Sequence, residues 1–102
     1  MLNGKQRSYL KSLAQAIDAV VYIGKDDLTD NILKEMDRYL DVHELLKVKI
    51  QESSELDPKD TANKCAELLK ADFVQAIGRK FVLYRPAKDA ADRQIILPKA
   101  QK

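Results

Sequence analysis

The chain of 102 residues is expected to fold as an α/β domain of order α-β-α-β-α-β-β, built on a mixed four-stranded sheet with helices on one or both faces. Three features lead to this expectation. Leu10, Leu13, Ala14 and Ile17 recur at the i, i+3, i+4, i+7 spacing of an amphipathic helix. Leu46, Val48 and Ile50 alternate with Lys47, Lys49 and Gln51, the period-two mark of a strand with one wet face. Helical and extended segments also alternate through the middle of the chain, which favours crossover connections.

Each element has a local cause. Lys5 to Ile17 is expected as the first helix, with Arg7 and Lys11 four apart on its flank. Val20 to Ile23 is β-branched and aromatic, hence a strand, and Gly24 ends it. Thr29 is placed to cap the next helix, with Asp30 in its first turn. Ile32, Leu33, Met36 and Leu40 form the buried side of that helix, which runs to about Asp41 or Val42. The strand ending at Ile50 gives way to a polar connection over 52–56. Asp57-Pro58 then starts a third helix, with the acid as cap and proline in the first turn. Its stripe of Ala62, Cys65, Ala66 and Leu69 is small enough for close approach to a sheet. Phe73 to Ile77 and Phe81 to Tyr84 read as a hairpin turning on Gly78-Arg79, glycine first. Ile95-Ile96-Leu97 is a candidate edge strand before Pro98. Residues 1–98 are expected as one domain, followed by a short polar tail over 99–102.

Composition narrows the function classes. No apolar run approaches the roughly 20 residues a membrane helix needs, and the N-terminus lacks the apolar core of a signal peptide. A cytoplasmic, monomeric protein is expected. Cys65 is the only cysteine, so an intramolecular disulfide or a thiolate-rich zinc site is excluded, and its place on an apolar stripe suits a buried, inert thiol. His43 is the only histidine; it stands at a helix end, where capping carbonyls is the plain role. Nothing around either residue resembles a nucleophile motif, and no cofactor is expected. The net charge of +2 hides a segregation, with 1–25 at +3, 26–72 at −6 and 73–102 at +5. Basic ends folded together would present a face attractive to polyanions.

The stretch from Val20 to Ile32 concentrates the chemistry: a strand, a tight loop opening on Gly24-Lys25, and a capped helix start. Such a bend offers backbone N–H groups and an ammonium group together, a natural seat for phosphate. Asp26 and Asp27 sit inside the same loop and oppose an anion. With Asp30 they could instead hold a divalent cation, although ordinary loop and capping chemistry outweighs that reading.

Several ordered motifs resemble one family. They are Ile23-Gly24-Lys25 with Leu28-Thr29, the run Glu44 to Ile50, and Val74 to Gly78 with Phe81 to Arg85. The opening Leu2-Asn3-Gly4-Lys5-Gln6-Arg7 fits as well. Together they are similar to the CRM domain, named for chloroplast RNA splicing and ribosome maturation, and most of all to its stand-alone bacterial YhbY/YqeI-like form. The resemblance implies a fold similar to the C-terminal domain of bacterial translation initiation factor three. It also implies binding to structured RNA and association with precursors of the large ribosomal subunit. The family's central feature is a Gly-x-x-Gly loop. Gly24 and Lys25 match its start, whereas Asp27 stands where glycine is usual. Asp tolerates the left-handed backbone such a turn requires, so the bend is expected to survive with a charge that opposes phosphate.

The leading expectation is therefore a non-catalytic protein that binds ribosomal RNA. Its contact residues would be Gly24, Lys25, Asp26, Asp27, Arg7, Lys11, Lys47, Lys49, Arg79, Lys80 and Arg85. Tyr22 and Tyr84 are candidates for stacking on an unpaired base, with core packing the more ordinary role for each. Two other readings are a protein-interaction module on the ribosome that uses the acidic middle, and a nuclease using the Asp26, Asp27 and Asp30 cluster with a metal. The second asks too much of one loop, since phosphodiester cleavage needs carboxylates converging from separate elements.

Overall fold

The computed structural model describes residues 2–98, so the polar tail over 99–102 lies outside the described residues. The elements follow the order α1 (Gly4–Ala14), β1 (Val21–Ile23), α2 (Asp30–His43), β2 (Leu45–Ile50), α3 (Pro58–Leu69), β3 (Asp72–Ile77) and β4 (Lys80–Tyr84), closed by a single 3-10 turn over Ala90–Asp92. The sheet is four-stranded and mixed, in the order β1-β2-β4-β3. β1 runs parallel to β2, and β4 pairs antiparallel with both β2 and β3.

Local signals start α2 and α3 where the sequence places them, and α1 one residue earlier, at Gly4. Asn3 and Gln6 form a reciprocal capping box at α1. The Thr29 hydroxyl accepts from the Ile32 N–H at 3.2 Å, and the Asp57 carboxylate accepts from the Asp60 N–H at 2.9 Å. The helix α1 stops at Ala14 instead of continuing to Ile17. A lysine from the sheet meets this end, since Lys47 Nζ donates to the carbonyl of Ala14, the last helical residue, at 3.0 Å and to that of Ile17, just beyond the helix, at 3.1 Å.

The sheet separates two cores. On one face α2 and α3 bury Met36, Leu40, Cys65 and Leu69 against Val21, Ile23, Leu46, Val48, Ile50, Phe81 and Leu83. On the other, α1 packs Leu10 and Ala14 on Leu45, Val74, Val82 and Tyr84. Cys65 lies in the first core, where burial pushes its thiol up to about 11. Tyr84 is likewise buried.

The segment after β4 departs from expectation. Ile95 to Leu97 is not a strand. The Ile95 N–H is given to the Glu44 carboxylate at 2.9 Å and so pairs with a side chain instead of a neighbouring strand. Ile95 and Leu97 pack on the α1 core while Ile96 faces solvent. The basic N- and C-terminal parts of the chain thus do fold against each other.

Candidate nucleic-acid interface

Strand directions gather three connections at one end of the sheet. The loop after β1, the loop after β2 and the β3–β4 hairpin all emerge beside the row Ile23, Ile50 and Arg79. The loop after β1 closes as a turn, with the Asp27 N–H donating to the Gly24 carbonyl at 2.9 Å. Asp27 takes φ 59°, the left-handed conformation for which glycine carries no steric cost. At Gly24 a Cβ would meet Gln51 Oε1 at 3.0 Å, the movable end of a side chain that a small shift would clear.

The Asp27 carboxylate turns towards the neighbouring loop, where the Ser54 hydroxyl donates to it at 2.7 Å. That same hydroxyl accepts from the Leu56 N–H at 3.2 Å. Arg79 completes the clamp. Its Nε donates to the Ile50 carbonyl at 2.9 Å, and its Nη2 donates to the Gln51 and Ser54 carbonyls at 2.8 and 2.7 Å. Hairpin, middle loop and Gly24 loop are therefore cross-tied by hydrogen bonds, while Lys25 and Asp26 stay exposed at the tip. Replacing Asp27 with glycine should remove the Ser54 contact, costing about 1 kcal/mol of stability. It also removes one charge that repels phosphate, worth roughly 1 kcal/mol at about 4 Å in water. Glycine also relieves the left-handed backbone at this position by a comparable amount, so thermal melts of Asp27→Gly should show a nearly unchanged melting temperature while RNA titrations show a several-fold tighter complex.

The cations singled out from the sequence divide into two groups. Arg7 and Lys11 lie on α1 beside β3, where they line a groove with Phe73, Val74, Gln75 and Lys59. Arg7 Nε is buried there with no hydrogen-bond partner among the described residues. Lys49 and Lys80 are exposed and stand directly opposite each other on β2 and β4. These four share the α1 face of the sheet, and Lys25 lies at its adjoining end.

Lys47, Arg79 and Arg85 are instead engaged within the chain. Lys47 caps α1 and Arg79 clamps the loops, as described. Arg85 follows β4 at the far end of the sheet and turns to the opposite face. It pairs there with Asp37 at 2.9 Å and Asp41 at 2.8 Å, and donates to the Leu69 carbonyl at 2.7 Å. Geometry separates it from the other cations, and it neutralises two carboxylates of the acidic middle segment. Arg85→Ala should lower stability by about 2 kcal/mol through lost charge-assisted bonds while leaving polyanion affinity unchanged. A thermal melt beside a binding titration checks both halves.

One residue of this surface, Lys59, was not singled out in the sequence. Lys59 joins the groove only because α3 begins beside the free edge of β3. Tyr22 is 51% exposed, with its hydroxyl donating to the Ala19 carbonyl at 3.1 Å; core packing, the more ordinary expectation, does not describe it. His43 is exposed and stacks on the half-buried Tyr39 at 4.3 Å between ring centroids. Among the described residues no group of three or more His, Cys, Asp or Glu side chains converges to hold a metal, and no helix is long and apolar enough to cross a membrane.

Comparison with known proteins agrees with this architecture. Residues 2–85 match the model of the CRS1/YhbY (CRM) domain. The chain is 35% identical over 98 residues to the Probable RNA-binding protein YqeI of Bacillus subtilis, covering 96% of this chain and all of that one. It is 38% identical over 89 residues to an RNA-binding protein of Haemophilus influenzae, covering 87% of this chain and 90% of the relative. The solution structure of the hypothetical protein SAV1595 from Staphylococcus aureus, described as a candidate RNA-binding protein, superposes with a TM-score of 0.78 at 38% identity, over 96% of this chain and 100% of that one. With its three helices on a mixed four-stranded sheet and a family match over most of its length, this chain belongs to the CRS1/YhbY (CRM) domain family.

Proposed function

We propose that the protein is a non-catalytic, cytoplasmic RNA-binding domain that acts as a monomer on large-subunit ribosomal RNA during ribosome assembly. Relatives named as RNA-binding proteins support the RNA part of this reading. The observation that carries it is the collection of Arg7, Lys11, Lys49 and Lys80 on one face of the sheet, with Lys25 at the adjoining end. Among the described residues the ion pairs are those of Arg85 with Asp37 and Asp41, so none of these five cations is paired with a carboxylate, and Lys11, Lys25, Lys49 and Lys80 are exposed. Gly24 and Asp26 shape the loop that presents Lys25, and Asp27 and Arg79 hold it in place. Lys47 contributes by fixing the end of α1 on which Arg7 and Lys11 ride.

Binding through about five phosphate contacts has a measurable signature. The logarithm of affinity should fall with the logarithm of salt at a slope of roughly −3.5 to −4.5. Titration of large-subunit RNA fragments across salt, beside co-sedimentation with ribosomal subunit precursors, tests both parts. A slope near zero would remove the cation face from the mechanism. Strong salt dependence without co-sedimentation would keep RNA binding and discard the ribosomal target.

A further inference from the structure

Sheet register places four exposed side chains in one line across the uncovered part of the α1 face. Tyr22 on β1 pairs with Lys49 on β2, Lys49 with Lys80 on β4, and Lys80 with Ile77 on β3. The helix α1 covers the half of this face that holds Leu45, Val74, Val82 and Tyr84, and it ends at Ala14, where Lys47 Nζ meets its carbonyl. The row beyond is left open, with Tyr22 at 51% and Ile77 at 67% exposure.

Two properties of this row need a ligand to make sense. Lys49 and Lys80 are like charges directly opposite each other on neighbouring strands, an arrangement that destabilises a sheet. No carboxylate relieves them, either in their own row or in the adjoining line of Lys47, Val82 and Gln75. The row also carries an aromatic ring and an aliphatic side chain in water. An anion with a flat apolar part answers both features. Strands lie about 4.8 Å apart, so the ring, the two ammonium groups and Ile77 span roughly 15 Å, room for a short run of nucleotides.

Resting on the RNA-binding reading above, we propose that this row is a platform for unpaired nucleotides, with a base on the Tyr22 ring and the adjoining phosphates on Lys49 and Lys80. A duplex keeps its bases stacked inside and would meet only the cations. A single strand or a splayed loop can use the ring as well. The site therefore gives the protein a preference for unpaired RNA that the cations alone do not supply.

The test compares an unstructured oligoribonucleotide of about ten residues with a duplex of equal length, at fixed salt. Tyr22→Ala should lower single-strand affinity by about tenfold and leave duplex affinity unchanged, while Tyr22→Phe behaves as the natural protein. The double variant Lys49→Gln, Lys80→Gln should reduce the single-strand salt slope by about 1.4, and it keeps the test decisive should Tyr22→Ala fold poorly. Equal affinity of Tyr22→Ala and the natural protein for the single strand, or an unchanged slope in the double variant, would overturn the platform. RNA binding through Lys25, Arg7 and Lys11 would still stand. Failure of the natural protein to bind either RNA would overturn both readings.

Discussion

Charge reversal at Lys25 is expected to weaken binding to large-subunit ribosomal RNA fragments by about thirtyfold while leaving the fold intact. Lys25 is exposed at the loop tip, and the contacts that hold the loop run through Asp27, Ser54 and Arg79. Lys25→Glu therefore breaks none of them. It removes one attraction to phosphate and adds one repulsion, each worth roughly 1 kcal/mol at about 4 Å in water. The two sum to about 2 kcal/mol, or about thirtyfold. The new carboxylate also stands beside Asp26 and Asp27, which deepens the local negative field. Two readouts separate this outcome from general damage: an unchanged circular-dichroism spectrum and a salt slope shallower by about 1. Unchanged affinity in a folded variant would take the loop out of the interface.

The largest effect on stability is expected at Glu44, a carboxylate that the sequence did not single out. Glu44 is 1% exposed and takes φ 69° at the end of α2. Its oxygens accept from the backbone N–H groups of Ala87, Gln94 and Ile95 at 3.1, 2.6 and 2.9 Å. In Glu44→Ala these donors lose their partner at about 1 to 3 kcal/mol for each one left buried. A loss of about 3 kcal/mol in total would lower the melting temperature by about 15 °C in a domain of this size. The damage should reach the interface, because the segment Glu44 anchors carries Ile95 and Leu97 onto the core beneath α1.

Glu44 also gives stability a pH dependence. Burial opposes its charge, but the hydrogen bonds from Ile95, Gln94 and Ala87, with help from Arg93, outweigh that and hold the carboxyl below its ordinary value of 4.5. A lowered folded value means that the charged form is the one the fold favours. This contribution is fully present above pH 4.5 and is lost as pH falls through the lower folded value. The natural protein should therefore lose stability in acid more steeply than Glu44→Gln, as melts between neutral pH and pH 3 would show. Parallel curves for the two proteins would mean that the three hydrogen bonds do not depend on the charge.

How far the site was legible follows from where its information lies. Gly24 and Lys25 announce a loop through their neighbours in sequence, and the loop is there. The tolerance of aspartate for left-handed backbone was also legible, and Asp27 adopts it. The use of its carboxylate was not, because Ser54 belongs to another loop. Arg85 and Lys25 look alike as exposed-type cations, yet one is neutralised by Asp37 and Asp41 and the other is free. Ile95 to Leu97 is apolar and largely β-branched as a strand would be, but a strand needs a neighbour, and Glu44 takes the Ile95 N–H first.

By itself the sequence determined the helix starts, the strand faces and the order of elements. Asn3, Thr29 and Asp57 cap within three residues of themselves, and alternation along β2 sorts side chains onto two sides without reference to anything distant. Only the tertiary structure decided which side α1 would cover and where it would stop. That choice buries Leu45 and Tyr84, ties Lys47 to a helix end and leaves Lys49, Lys80 and Tyr22 in water. Local pattern fixes the direction a side chain points, whereas exposure depends on what another part of the chain lays over it.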